Sequence, residues 1–244
     1  MHCFAQSDRG SVRKENQDRA ACAHIRRRGC TIAVVCDGMG GAAGGKLASD
    51  LAASMFLADF RREMQAGIAV EPAMRHACDA ANRAVYDRAC ADPDLHGMGT
   101  TIVGGVIKSG GSGYIINVGD SRAYYISRKN DAITQITRDH SLVEELVEFG
   151  AITKEQARVH PQRNVITRAL GSEASVDADY YDFSLQNGDF LLMCSDGLSN
   201  MVSDLEMLEY AKEYPEPELL CRALMSKALK RGAKDNVTVL AVMK

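Results

Sequence analysis

The stretch Ile32-Ala33-Val34-Val35-Cys36-Asp37-Gly38-Met39-Gly40-Gly41 constrains the fold more than any other part of the chain. Its five apolar or small residues in a row describe a strand covered on both faces. A carboxylate at the end of such a strand is costly unless something offsets its charge, and a cation is the simplest partner. Glycine behind the carboxylate lets the backbone approach a ligand and leaves a carbonyl free to coordinate. An Asp-Gly pair alone is an ordinary turn signal. The setting recurs, however. Phe190 to Cys194 runs into Ser195-Asp196-Gly197, Tyr114 to Val118 runs into Gly119-Asp120-Ser121, and Asp235-Asn236 precedes the apolar run Val237 to Val242. Independent turns have no reason to share that context, so the four carboxylates are expected at one pole of a sheet structure.

The 244 residues suffice for a single domain, 1–244, with a substantial core, and 46% hydrophobic against 25% charged residues marks an ordinary globular chain. A net charge of -3 without a block of like charges argues against nucleic acid or an anionic membrane as partner. The eight cysteines show no C-x-x-C spacing, and Cys36, Cys78, Cys194 and Cys221 sit inside apolar runs, so they read as reduced core residues. The six histidines lack ligand spacing, which leaves oxygen as the donor for any metal. The first residues have no signal-peptide pattern and no run is long enough to span a bilayer, so a cytoplasmic address is expected.

Along the chain, strands are expected at Cys3 to Ser7, Ala20 to Ile25 and Thr31 to Cys36. Helical spacing follows in Leu47, Leu51, Met55 and Ala58, and again in Met74, Ala77, Cys78, Ala81 and Val85. Short runs at Ile102 to Ile107, Gly113 to Val118, Arg122 to Ser127 and Ile133 to Ile136 read as an antiparallel meander. An excursion over residues 141–171 holds two short helices. Strands resume at Tyr180 to Leu185 and Asp189 to Cys194, and two helices, Asp204 to Glu213 and Glu216 to Lys230, precede the last strand. The expected fold is α+β: a central antiparallel β-sandwich flanked by pairs of helices, in α-β-β-α layers.

Two nucleotide-binding readings of the glycine loop fail on chemistry. Gly40 to Lys46 matches G-x-x-x-x-G-K, but the next residue is Leu47, where a phosphate loop needs a hydroxyl for magnesium. Gly38 to Ala43 fits the dinucleotide fingerprint, yet Asp37 beside it would repel phosphates, and Asp59 and Glu63 lie in a helical pattern instead of at a strand end.

Taken in order, Arg13-x-x-Asn16-Gln17-Asp18, Asp37-Gly38-Met39-Gly40-Gly41, Gly99-Thr100-Thr101, Gly119-Asp120-Ser121-Arg122, Asp139-His140-Ser141, Ser195-Asp196-Gly197 and Asp235-Asn236 resemble the metal-dependent serine/threonine protein phosphatases, type 2C, in their bacterial branch. The resemblance spans nearly the whole chain. It implies hydrolysis of phosphoserine and phosphothreonine in proteins at a binuclear Mg2+ or Mn2+ centre held by Asp37, the Gly38 carbonyl, Asp196 and Asp235, with Asp37 bridging. Two ions can share and acidify a water for in-line displacement at phosphorus, which needs no nucleophilic cysteine. By the same resemblance Arg13 holds the phosphoryl group, Asp18 holds waters of the second ion, and Asp120 with Asp196 holds a third, looser ion.

Asn236 and Thr101 are types that commonly satisfy local backbone, and Asp139-His140 has either a structural or a functional reading. At Met39 many animal members carry a histidine proposed as proton donor; a thioether cannot serve. Residues 141–171 correspond to the family's flap, whose Arg158, Arg163 and Arg168 are candidates to meet acidic substrates. Arg122 is a candidate ion-pair partner for Asp120. The expected partners are phosphorylated proteins, including a Ser/Thr protein kinase, and the expected state is a monomer. The competing class is a phosphoprotein-binding scaffold of the same fold without turnover.

Overall fold

The structure, a computed structural model, describes the backbone of residues 1–244 and the side chains of all but Arg27, Ala42 and Ala43, the last two falling in the glycine loop. In chain order the elements are β1 (His2–Asp8), β2 (Asp18–Ile25), β3 (Cys30–Met39), α1 (Gly41–Gln65), α2 (Val70–Ala91), β4 (Gly99–Thr100), β5 (Ile102–Lys108), β6 (Ser112–Val118), β7 (Arg122–Ser127) and β8 (Ala132–Gln135). Then come α3 (Leu142–Glu148), α4 (Lys154–Val159), β9 (Asp179–Ser184), β10 (Phe190–Cys194), α5 (Asp196–Ser199), α6 (Asp204–Glu213), α7 (Pro217–Lys230) and β11 (Val237–Met243).

The strands form two antiparallel sheets, ordered β1-β11-β10-β7-β8 and β2-β3-β5-β6-β9, with β4 an addition to β3. Because β3 is covered on both faces, its alternation divides one apolar run between two cores. Ala33 and Val35 face the other sheet and pack with Val103, Ile115, Leu191 and Leu240. Ile32, Val34 and Cys36 face outward, under Phe56 and Phe60 of α1 and Met74 of α2. On the far side, α6 and α7 lay Leu208, Leu220 and Leu224 on Tyr124, Phe190 and Leu192. The result is the expected four-layer α-β-β-α sandwich, in which each fully buried large side chain contributes about 1.5–3 kcal/mol. Among the described residues no helix is long and apolar enough to cross a membrane.

Two expectations need correction. The run β5 to β8 is not one meander: β5 and β6 pair in the second sheet, β7 and β8 in the first, and the chain changes sheets at Gly119-Asp120-Ser121. A corner between sheets uses the same small and polar residues as a hairpin, so local sequence does not separate them. Also, β3 does not stop at Cys36. It continues through Asp37 and Gly38 to Met39 and pairs with β2 and β4, so Asp37 is a strand residue and not the first residue of a turn.

Residues 141–171 leave the sandwich beside this corner. Their ends are tied by isolated bridges, Ser141 to Ile166 and Thr100 to Leu170. Local caps hold the helices between: the Ser141 hydroxyl accepts from the Glu144 amide, and Thr153 and Gln156 form a capping box on α4. Phe149 and Val159 are 84% and 78% exposed, so the outer part of this segment contributes little to the core.

Candidate functional site

Antiparallel pairing brings Asp18, at the start of β2, directly opposite Asp37 in β3. Like charges directly opposite on neighbouring strands repel, and nothing in the sheet itself repays that cost. The other carboxylates arrive from different elements: Asp120 from the corner between sheets, Asp196 from just beyond β10, and Asp235 from just before β11. Asp37, Asp120, Asp196 and Asp235 line one cavity of about 580 Å³ with Arg13, while Asp18 is buried behind it. The pole anticipated from four strand-end carboxylates is therefore present.

The backbone at this pole is fixed by close approach. A Cβ on Gly38 would fall 1.9 Å from the Gly45 carbonyl oxygen, and the Gly38 amide donates to the Gln17 carbonyl at 3.1 Å. Only glycine fits. Gly119 takes a φ of +105° with its Cβ position against the Thr101 side chain, and this places Asp120 at the mouth of the cavity.

Hydroxyls and amides hold the carboxylates from behind. Ser195 Oγ donates to Asp18 Oδ2 at 2.7 Å and accepts from the Thr238 amide at 3.0 Å. The other oxygen of Asp18, Oδ1, is buried without a hydrogen-bond partner. Thr101 Oγ1 accepts from the Asp37 amide at 3.0 Å and shares a hydrogen with Ser121 Oγ at 2.7 Å. Asn236 fastens the loop before β2: its Oδ1 accepts from the Gln17 amide at 2.8 Å, and its Nδ2 donates to the Arg9 and Glu15 carbonyls. Thr101 and Asn236 thus serve backbone, as their types suggested.

Charge is poorly balanced here. Burial, then Asp18, Asp196, Asp120 and Asp235 in turn, push the Asp37 carboxyl well above its ordinary value. Burial and Asp196 raise Asp120 to about 8. Burial, against hydrogen bonds from Thr238 and Ser195, raises Asp18 to about 6, and burial with Asp235 does the same for Asp196. Two arginines answer them in part: Arg122 acts on Asp120 and Asp196 without contact, and Arg13 Nη2 lies 2.8 Å from Asp235 Oδ2, with both of those side chains substantially exposed. Among the described residues no three His, Cys, Asp or Glu side chains converge tightly enough to close a ligand shell by themselves.

Other expected residues fall outside the cavity wall. Arg122 does not pair with Asp120. Its guanidinium grips Asp139 with contacts of 2.7 to 3.0 Å, and Gln135 Nε2 donates to the same carboxylate. His140 Nδ1 accepts from the Gly119 amide at 3.2 Å, the His140 amide donates to the Gly119 carbonyl at 2.9 Å, and Nε2 lies 3.2 Å from Asp179 Oδ2. Asp139-His140 is therefore a strut behind the corner. Arg168 is engaged in it as well, 3.1 Å from Asp179, and does not reach outward as an unpaired cation. Met39 does line the cavity. So do Asn164 and Ile166 of the 141–171 segment and Lys14 and Gln17 of the loop before β2, none of which sequence reasoning assigned to the site. The Asn16-Gln17-Asp18 run was the available signal for Gln17; nothing local marked Asn164.

The cysteine reading holds for Cys36, Cys78, Cys194 and Cys221, all buried, but Cys90 is exposed and Cys3 and Cys22 are half-buried. A helix-covered β-sandwich with a carboxylate-lined pole and an arginine at its rim defines a phosphatase of the type the motifs resembled. The protein phosphatase 2C family model matches residues 9–231, and the chain belongs to that family. A curated relative, the serine/threonine phosphatase stp of Listeria innocua, is 38% identical over 245 residues, 99% of this chain and 95% of the relative. The crystal structure of the Mycobacterium tuberculosis serine/threonine phosphatase PstP/Ppp matches with a TM-score of 0.88 at 36% identity, covering 100% of this chain and 98% of that one. A PstP catalytic domain in complex with two manganese ions matches with a TM-score of 0.83 at 35% identity, over 98% and 96%. The chain is an enzyme of the protein serine/threonine phosphatase class.

Proposed function

We propose that this chain removes phosphate from phosphoserine and phosphothreonine in proteins at a centre of two Mg2+ or Mn2+ ions held by Asp37, the Gly38 carbonyl, Asp196 and Asp235, with Asp18 behind them. The observation that carries this is the cross-strand pair Asp18 and Asp37 beside a wall of further carboxylates, with Arg13 at the rim against Asp235. An all-oxygen donor set suits hard divalent ions that retain waters, which accounts for carboxylates that do not close a shell on their own. The unpartnered buried Asp18 Oδ1 fits a water of such a centre. The two manganese ions of the PstP catalytic domain support the same reading.

When bound, the ions supply Lewis acidity and a water of lowered pKa for in-line attack on phosphorus. The chain supplies the rest. Arg13, at the rim beside Asp235, presents a planar fork to the phosphoryl oxygens and steadies charge as the leaving oxygen departs. Ser195 and Thr101 keep Asp18 and Asp37 in place from behind. Met39 lines the cavity but donates no proton, so protonation of the leaving alkoxide falls to water or another group.

Asp120, beside Asp196 and not hydrogen-bonded to Arg122, whose guanidinium is taken by Asp139, is suited to a third and weaker ion. Residues 141–171 act as a flap, with Asn164 and Ile166 as its floor toward substrate, within one catalytic domain spanning 1–244. The substrates are phosphoproteins, a Ser/Thr protein kinase among them, met by a cytoplasmic monomer with no nucleic-acid or membrane partner. Parallel phosphopeptide assays in EDTA, Mg2+ and Mn2+ test the centre: activity is expected only with added metal, and turnover undiminished by exhaustive EDTA overturns it.

A further inference from the structure

Cys3 in β1 and Cys22 in β2 bring their sulfur atoms to 2.7 Å across nineteen positions of sequence. Neither strand pairs with the other. β1 is an edge of one sheet and β2 an edge of the other, so the two thiols meet across the open seam of the sandwich. Cys3 packs with Ala5, and Cys22 with Ala20, against the core between the sheets. Both thiols are half-buried, unlike the enclosed Cys36, Cys78, Cys194 and Cys221 and unlike the exposed Cys90. A small hydroperoxide can reach them. Two further facts fit: the contact with Cys22, against burial, lowers the Cys3 thiol to about 7, and the same contact raises Cys22. One sulfur thereby ionises more readily than an ordinary thiol while its neighbour holds its proton more tightly.

We propose that Cys3 and Cys22 form a reversible dithiol/disulfide site, oxidised by hydrogen peroxide, that staples the edge strand of one sheet to the edge strand of the other. The Cys3 thiolate attacks a peroxide oxygen; the O–O bond breaks, Cys3 becomes a sulfenic acid, and the departing hydroxide takes a proton from solvent to become water. The Cys22 sulfur then attacks the Cys3 sulfur; the S–S bond forms, the S–O bond breaks, and the hydroxide leaves as water with the Cys22 proton. Two thiols and one peroxide give one disulfide and two waters, the sulfurs oxidised and the peroxide oxygens reduced. A dithiol reductant reverses the bond, since a disulfide this accessible is of the labile kind. The covalent ring so closed contains the whole 9–17 loop with Arg13, and Asp18 as well. It constrains the chain on which the phosphate-facing side of the site is built, by chemistry independent of the phosphatase reaction.

The test treats the full chain with hydrogen peroxide, alkylates the remaining thiols, and maps peptides by mass spectrometry alongside melting curves. The expected product is one intramolecular Cys3–Cys22 disulfide, formed before Cys90 is modified, reversed by dithiothreitol, and raising Tm by roughly 5 °C. In Cys22→Ser, the Cys3 sulfenic acid is expected to be trapped by dimedone, with no rise in Tm. Recovery of Cys3 and Cys22 as alkylated free thiols after Cys90 has fully reacted overturns the proposal. So does over-oxidation of Cys3 with Cys22 still free, or a bonded chain that melts no higher than the reduced one.

Discussion

Two acidic clusters lie on either side of the Gly119–Ser121 corner, and they are built in opposite ways. On the cavity side burial raises Asp18, Asp37, Asp120 and Asp196, each with a further push from a neighbouring carboxylate, and none of the four has an arginine in contact: Arg13 is paired at the exposed rim with Asp235. Behind the corner each carboxylate has its own cation: Asp139 has Arg122, and Asp179 has Arg168, with the uncharged His140 ring beside it as a further hydrogen-bond partner. Burial alone would raise Asp179, but His140, Tyr181 and Arg168 bring it below its ordinary value. The same residue type thus does two jobs. Matched carboxylates act as struts, and unmatched ones store a repulsion that only a bound cation relieves, so charge balance separates the site from its scaffolding more sharply than burial does.

The strongest test of that distinction gives the two clusters opposite signs. Asp37→Asn is expected to lower phosphopeptide turnover at saturating Mn2+ by about a thousandfold or more, a larger loss than the 10–100-fold typical of a group behind a ligand. In EDTA at pH 7 the same variant is expected to melt higher than the wild-type chain, because an unmatched carboxylate opposite Asp18 is gone. A metal-free variant that melts several degrees lower would mean that Asp37 has a partner after all.

Asp139→Asn is the counterpart. It leaves Arg122 largely enclosed without its carboxylate, a loss of about 3 kcal/mol for a broken buried pair. Thermal unfolding should show a Tm lower by about 6–12 °C, with or without metal. Equal stability in variant and wild type would remove the strut and merge the two clusters into one.

How far this division could be read in advance depends on the range of the interactions. Asp37, Asp120, Asp196 and Asp235 were legible because each adjoins its own apolar run, and a strand's end is a local property. α1 and α2 were legible from period alone. The partner of Arg122 was not, since Asp139 lies 17 residues away in sequence and meets it only once the chain has changed sheets at Asp120. The change of sheets was itself hidden, because Gly-Asp-Ser serves corner and hairpin alike. The opposition of Asp18 and Asp37 needed the register of β2 on β3, to which two separate motifs give no clue. Asn164 reaches the cavity through the bridges that seat residues 141–171, again a matter of tertiary pairing.

A smaller effect is expected at Asp120, and its pH dependence carries the information. In the metal-free chain the Asp120 carboxyl is raised from 3.8 to about 8. Below about pH 4 it is protonated in both folded and unfolded chains and costs nothing. Between pH 4 and 8 the unfolded chain gives up the proton that the folded chain keeps, so its contribution turns increasingly unfavourable as pH rises. In EDTA, Asp120→Asn should therefore gain Tm over wild type progressively from pH 4 to 8. A difference that stays flat across that range contradicts an unmatched Asp120. With Mn2+, Asp120→Ala is expected to keep two tightly bound ions by calorimetry while hydrolysis of phosphopeptides falls about tenfold, as loss of a weak third ion requires. Loss of the tight pair would move Asp120 into the central site, and wild-type turnover would remove the third ion.

The smallest effect is expected at Arg168, the outermost member of the strut. Its guanidinium lies 3.1 Å from Asp179, but the two side chains are 38% and 32% exposed, which puts the pair among surface ion pairs worth about 0.2–1 kcal/mol. Arg168→Gln should accordingly lower Tm by only about 1–3 °C and leave kcat for a phosphopeptide within about twofold. The reason for so small a change is that His140 keeps its own hold on the corner: its amide and its Nδ1 both bond Gly119, and neither contact runs through Arg168. Asp179 would still accept from Tyr181 and still face His140. If instead Arg168→Gln costs tenfold in kcat, matching the effect at Asp120, then the ion pair governs the corner through His140, and the two clusters act as one mechanical unit despite their opposite charge balance.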